Sequence, residues 1–239
     1  MSSRNSTAEN KPPAGDWQSV AAIIDHTNLR PEATPSHIVR LCEEAKEFGF
    51  GAVMVNACHV ALACSHLEGS SVKVGAVAGF PLGATLTSVK RFESAEALKL
   101  GAREIDMVLN IGALKAGDRE FVLADIQSVA DIVHGQKALL KVILETGLLT
   151  EKEKLAACEL SEKAGADFVK TSTGFLGGVA TVEDVWLMRR AVRIGVKASG
   201  GIRTASDARA MIEAGANRLG TSSGVSIVRE LRGDSDEKK

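Results

Sequence analysis

Eight short apolar runs, rich in β-branched residues, recur along the chain: AAIIDHT, GAVMVN, VKVGAVAGF, EIDMVLN, ALLKVILET, DFVKTST, GVKASG and RLGTSS. Their centres lie about 28 residues apart, and a longer amphipathic segment follows each, which is the rhythm of strand–helix units. Eight strands, each followed by a helix, imply an all-parallel sheet. Right-handed crossovers leave two ways to build it, a doubly wound open sheet or a closed barrel. The count of eight and the even spacing favour closure. No GxGxxG follows the first run, which weakens the dinucleotide-binding alternative. The expected fold class is α/β, a single-domain (β/α)8 TIM barrel, and 239 residues suit one such domain.

Local signals agree. Thr34-Pro35 places Pro at a first helical position, Thr150-x-x-Glu153 is a capping box, and Thr181-x-x-Asp184 and Thr204-x-x-Asp207 repeat the pattern with Asp. Gly49, Gly101-Ala102, Gly165-Ala166 and Gly215-Ala216 are expected to close helices just before strands. Residues 1–16, polar with Pro12-Pro13, and the charged residues 233–239 are expected to be disordered tails around a barrel domain at 17–232. Neither stretch can bury enough apolar surface to offset the entropy of ordering.

Composition narrows the function. Lys and Arg number 29 against 30 Asp and Glu, a formal charge of −1, and no basic stripe offers a grip on nucleic acid. No apolar run reaches the roughly 18 residues of a membrane helix, and residues 1–16 lack the apolar stretch of a secretory signal. The four Cys form no CxxC pair and read as free thiols of a reducing compartment. A cytoplasmic protein is therefore expected, in which the Asn5-Ser6-Thr7 sequon goes unused.

Barrel strands should be nearly pure Val, Ile, Leu and Ala, because both faces are buried. Here Asp106, Lys141, Lys170 and Lys197 interrupt four adjacent strands. An ion in such a place is costly unless it is paired or used. Three Lys against Asp106, with Glu145 as a further candidate, do not balance, so a buried ion-pair network accounts for any one of them better than for the set. Lys73 also lies in an apolar run, but at a strand start, on the barrel face that carries stability rather than chemistry. A lysine attacks carbonyls only when neutral, and burial or a cationic neighbour drives it to that form. If Lys170 and Lys197 share a pocket, one can form a Schiff base while the other stays protonated. The charge of Lys197 is expected to depress Lys170 most, with burial contributing. Asp106 is placed for proton transfer, directly or through water. The set points to carbon–carbon bond chemistry through an enamine.

Ser199-Gly200-Gly201-Ile202-Arg203 follows the seventh strand and Gly220-Thr221-Ser222-Ser223 the eighth. Small residues there expose backbone N–H groups, a following helix N-terminus adds a positive dipole end, and these two loops are the usual phosphate site of such a barrel. A phosphorylated sugar or aldehyde is the expected substrate. Asp25, of Asp25-His26, is read at the pocket mouth, positioning substrate hydroxyls. Cys58, His59, Cys64 and His66 look metal-like, but histidines seven apart on one helix lie about 10 Å apart along its axis, too far for one small ion. No metal and no cofactor are expected.

At these residues the sequence resembles the deoxyribose-phosphate aldolases, class I (Schiff-base) aldolases built on a TIM barrel. The resemblance runs from Ile24 to Val228. It includes Ile24-Asp25-His26-Thr27, Gly79-Phe80-Pro81-Leu82-Gly83, Glu104-Ile105-Asp106-Met107-Val108, Lys141-Val142-Ile143-Leu144-Glu145-Thr146, Phe168-Val169-Lys170-Thr171-Ser172-Thr173-Gly174, Val196-Lys197-Ala198-Ser199-Gly200-Gly201-Ile202-Arg203 and Gly220-Thr221-Ser222-Ser223. It implies that Lys170 forms the Schiff base, that Lys197 perturbs it, and that Asp106 transfers the proton. Phosphate binding falls on Gly174, Gly200, Gly201, Ile202, Arg203, Gly220, Ser222 and Ser223, with Asp25, Lys141 and Thr171 in the same substrate-binding set. The implied reaction is the reversible cleavage of 2-deoxy-D-ribose 5-phosphate to acetaldehyde and D-glyceraldehyde 3-phosphate. A homodimer or other homo-oligomer is expected, with no nucleic-acid or membrane partner. Two departures stand out. Phe175 occupies a place where some members carry Lys, and Met54-Val55-Asn56-Ala57 stands where many carry Cys and Pro, which removes a reactive pocket thiol. The alternatives are another sugar-phosphate lyase or isomerase on this barrel, which in its metal-dependent form needs clustered His, Asp and Glu, or a non-catalytic sugar-phosphate-binding protein. The last has no use for Lys170, Lys197 and Asp106 together.

Overall fold

The computed structural model describes residues 16–234. Its eight strands are β1 (Ile24–Asn28), β2 (Ala52–Val55), β3 (Lys73–Ala78), β4 (Glu104–Val108), β5 (Leu139–Ile143), β6 (Phe168–Lys170), β7 (Gly195–Ser199) and β8 (Arg218–Thr221). They run parallel and close into a barrel in chain order, β8 returning to pair with β1. Each of the eight expected runs supplies one strand. Lys73, the first residue of β3, is exposed.

The helices are α1 (Trp17–Ala22), α2 (Pro35–Phe48), α3 (Val60–His66), α4 (Thr87–Lys99), α5 (Ile111–Lys115), α6 (Arg119–Gly135), α7 (Glu151–Lys163), α8 (Val182–Ala191), α9 (Ala205–Ala214) and α10 (Gly224–Arg232). Three details differ from the sequence reading. Ala21 and Ala22, read as the start of a strand, end α1, because the Asp16 carboxylate accepts the N–H groups of Gln18 and Ser19 at 3.2 and 3.3 Å and so starts a helix there. Asp16 therefore belongs to the folded chain rather than to a tail, and Gly233, at φ 77°, caps α10. His59 closes a 3-10 turn ahead of α3 and His66 ends α3, so the two histidines do not share one helix. Residues 1–15 and 235–239, which include the sequon and most of both expected tails, lie outside the described residues.

The capping signals act as expected. Thr150 and Glu153 bond reciprocally, as do Thr204 and Asp207. Thr181 Oγ1 accepts the Asp184 N–H at 3.1 Å, but the Asp184 carboxylate goes to Lys154. Alternate residues along the strands then divide. Ile105, Val142, Val169, Val196 and Leu219 join the continuous apolar layer under the helices, so their neighbours Asp106, Lys141, Lys170, Lys197 and Arg218 point into the barrel. Each fully buried aliphatic side chain of that layer contributes roughly 1.5–3 kcal/mol, which is what holds the charged interior in place.

Candidate active site

Strand register brings seven ionisable groups together inside the barrel. Lys170, the last residue of β6, lies level with Lys197 on β7, which in turn lies level with Arg218, the first residue of β8. Asp106 pairs across to Lys141. Asp106 is the hub: Oδ2 accepts from Lys170 at 2.9 Å and from Lys197 at 2.8 Å, and Oδ1 accepts from Lys141 at 2.9 Å. Lys197 also donates to Asp25, and Lys141 to Glu104 at 2.5 Å. Below them the Arg218 guanidinium donates to Asp25 and to both Glu104 oxygens. The network thus runs from strand starts, where Glu104 and Arg218 sit, up to the last residue of β6.

Sequence reasoning brought Asp106, Lys141, Lys170 and Lys197 together correctly but missed Glu104 and Arg218. It also misplaced Asp25. That carboxylate is fully buried between Lys197 and Arg218 and does not stand at the pocket mouth. Its neighbours are cations of the barrel floor, so it holds them instead of meeting a substrate. Lys141 is likewise fully buried, with Glu104, Asp106 and Asp25 within ion-pair distance. Thr171 ties β6 to β7, its hydroxyl donating to Ser199 O and accepting the Ser199 N–H, both at 2.9 Å. Neither lines the cavity above.

The network's electrostatics separate its lysines. Burial pushes the Asp106 carboxyl up, but Lys141, Lys170 and Lys197 outweigh it and hold the group well below the usual range. Asp25 is held down in the same way, burial being outweighed by Lys197 and Arg218. Lys141 loses to burial but gains more from Asp106, Glu104 and Asp25, so its ammonium is held above its ordinary value. Lys170 moves the other way, down to about 8, driven first by burial and then by the charge of Lys197, against the pull of Asp106. Burial, not the cationic neighbour, is therefore the larger cause. Four cations face three carboxylates here, so deprotonating Lys170 leaves the buried set balanced.

Above the network opens a cavity of about 1140 Å³. Among the described residues, Lys170 is the one member of the ion network on its wall, with Gly174, Gly200, Gly201, Ile202, Arg203, Gly220, Ser222 and Ser223 around it. Gly200 and Gly201 lie at φ 95° and 78°, a left-handed backbone that strains any side chain. A Cβ on Gly220 would sit 3.0 Å from Lys197 Cε, so its bareness also makes room for that lysine. The two helix starts nearby differ. That of α9 is closed by its Thr204–Asp207 box, Asp207 also taking the Arg203 N–H at 2.9 Å. The Ser223 side chain makes no such bond to α10, leaving a positive dipole end open to the cavity. Phe175 is half-exposed on the cavity wall and meets Phe80 edge-on, 5.1 Å between ring centroids.

The comparisons with known proteins agree with this fold. Residues 19–231 match the model of the DeoC/LacD family aldolases. The chain belongs to that family. It is accordingly a lyase. It is 59% identical to the deoxyribose-phosphate aldolase of Thermococcus gammatolerans over 89% of this chain and 96% of the relative. It is also 59% identical to that of Halalkalibacterium halodurans, over 91% and 98% respectively. The tetrameric deoxyribose phosphate aldolase of Aeropyrum pernix superimposes with a TM-score of 0.86 at 33% identity, over 91% of this chain and 93% of that one.

Proposed function

We propose that this enzyme reversibly cleaves 2-deoxy-D-ribose 5-phosphate to D-glyceraldehyde 3-phosphate and acetaldehyde, with Lys170 as the Schiff-base nucleophile. The observation that carries the reading is the position of Lys170: it sits at the top of the ion network, on the cavity wall, with its amine brought down to about 8. The names of the relatives supply the substrate.

In the cleavage direction the neutral Lys170 amine adds to the C1 carbonyl of the open-chain sugar, and loss of water gives a protonated imine. The C3 hydroxyl gives up its proton to water in the cavity and the C2–C3 bond breaks, its electron pair moving into the imine to form an enamine. Glyceraldehyde 3-phosphate leaves. Protonation of the enamine carbon and addition of water then release acetaldehyde and free the lysine. Asp106 has no face on the cavity and reaches the chemistry through its hydrogen bond to Lys170, steering the amine proton to and from water in the cavity, while Lys197 is paired with Asp106 and Asp25. The phosphate is held by the backbone around Gly200 and Gly201, by Ser222 and Ser223, and by the open start of α10. Borohydride reduction in the presence of 2-deoxyribose 5-phosphate, followed by peptide mass spectrometry, should label Lys170. Label on Lys141 or Lys197 instead would refute the assignment.

The free cysteines fit a reducing compartment, and no helix among the described residues is long and apolar enough to cross a membrane; we place the enzyme in the cytoplasm. A homo-oligomer is also part of the proposal. Helix α4 buries Lys90 against Asp125 at 2.6 Å beside Ser94, Ala97 and Leu98, while Phe92 and, just before the helix, Leu86 stand 66% and 70% exposed. Large apolar side chains left exposed at this helix suit a second copy of the chain. Sedimentation should show Phe92→Glu as a smaller species than the unaltered enzyme.

A further inference from the structure

Glu145 follows β5 and is fully buried, yet it takes no part in the ion network. Its backbone lies at φ 56° and ψ 62°, a left-handed conformation that strains a residue with a side chain. On either side the chain stays paired to the strand beside it. The Leu144 N–H donates to Lys170 O at 2.9 Å and the Thr146 N–H to Thr171 O at 3.0 Å. The twist between those two bonds turns the carboxylate onto the following loop, residues 171–181. Oε2 accepts the Thr173 N–H at 2.9 Å. Oε1 has no hydrogen-bond partner and faces Gly178, where a Cβ would come within 2.6 Å of it.

One carboxylate thus meets the loop twice, at Thr173 and at Gly178. Between those points lie Gly174, at φ 80°, and Phe175, both on the cavity wall. A buried carboxylate with a single hydrogen bond contributes little to stability, and a strained backbone contributes less than nothing. Holding the loop is the return on both. We propose that Glu145 is a positioning residue whose carboxylate sets the height of Gly174 and Phe175 over Lys170, and through them the fit of the substrate's phosphate end. The inference rests on the aldolase reading of the same cavity.

Steady-state kinetics on 2-deoxyribose 5-phosphate and on unphosphorylated 2-deoxyribose test it with three variants. Glu145→Ala should raise KM for the phosphorylated sugar about tenfold, the scale of one charge-assisted hydrogen bond, with kcat within about threefold. Glu145→Gln keeps an oxygen for the Thr173 N–H and should bring KM back to within about threefold. Gly178→Ala leaves the carboxylate in place but presses on it, and should raise the same KM. It decides the matter alone should Glu145→Ala fail to fold. An unchanged KM in these variants, or equal losses on both sugars, would overturn the proposal. Absence of borohydride labelling at Lys170 in the unaltered enzyme would overturn the aldolase reading as well, whereas labelling with an unchanged KM overturns this inference alone.

Discussion

The barrel interior and the loops above it hold charge in opposite ways. Inside, full charges cancel one another at hydrogen-bond distance. Above, glycine backbones, two serines and a bare helix start present dipoles beside the Arg203 guanidinium, and Phe175 stands where a lysine would add a further charge. Lys141 and Lys170 show what separates the two regions. Burial acts on both in the same direction, yet Lys141 ends above its ordinary value and Lys170 falls to about 8. Lys141 has three carboxylates within ion-pair distance, and Lys170 has one. The number of carboxylate neighbours, not the depth of burial, decides which lysine is a fixed cation and which is a base.

The sharpest way to break that contrast is Lys170→Arg. A guanidinium is never deprotonated at working pH, so turnover should fall by about a thousandfold or more, the scale of a lost covalent catalyst. Borohydride should no longer trap substrate, while the melting curve remains that of a folded protein. Residual trapping at another lysine would show that the boundary lies elsewhere. Next is Lys197→Leu, read through the pH–rate profile. The neutral amine is the reactive form, so activity should rise with pH and level off above about 8 in the unaltered enzyme. Removing a like charge raises the Lys170 pKa, moving that limb to higher pH. A move of about one unit lowers the rate at pH 7 about tenfold, and because burial remains, part of the depression should survive. A limb that stays at its original pH would mean that burial acts alone. Smaller still are two changes at the rim. Ser223→Asp places a like charge beside the phosphate and should raise KM for 2-deoxyribose 5-phosphate about tenfold, sparing unphosphorylated 2-deoxyribose. Parallel losses on both sugars would count against the phosphate site. Phe175→Lys should lower the same KM by up to about tenfold if its ammonium reaches the phosphate, and no change would show that the rim gains nothing from a further charge.

What could be read from the sequence follows the same division. All eight strands were visible as apolar runs, and Asp106, Lys141, Lys170 and Lys197 were visible because a charge inside such a run has no ordinary reason to be there. Glu104 and Arg218 were not, because each is the first residue of its strand and looks like a solvated end, as Lys73 in fact is. Only the stagger of a closed barrel lifts Arg218 level with Lys197, and stagger leaves no mark on a single run. Asp25 was misplaced for the same reason, since register with Gly220 puts it inside the barrel. Helix α1 was lost in a run of apolar residues that begins in it, the Asp16 cap being the one local signal that could have separated helix from strand. The carboxylate of Glu145 offered a candidate partner for the lysines, but its left-handed backbone turns it away from them.

Barrel closure fixes when the enzyme can come into being. Asp25 and Arg218, bonded to each other, are separated by 193 positions in the chain, and Lys197 reaches back 172 to the same carboxylate. A chain emerging from the ribosome through β7 already carries Lys170, Lys197 and Asp106, yet it lacks the guanidinium that joins Asp25 to Glu104. Its sheet also still has two open edges. On the proposed assignment the setting of the Lys170 amine is therefore completed last, when β8 slots in beside β1, and a chain truncated before β8 should show no borohydride trapping.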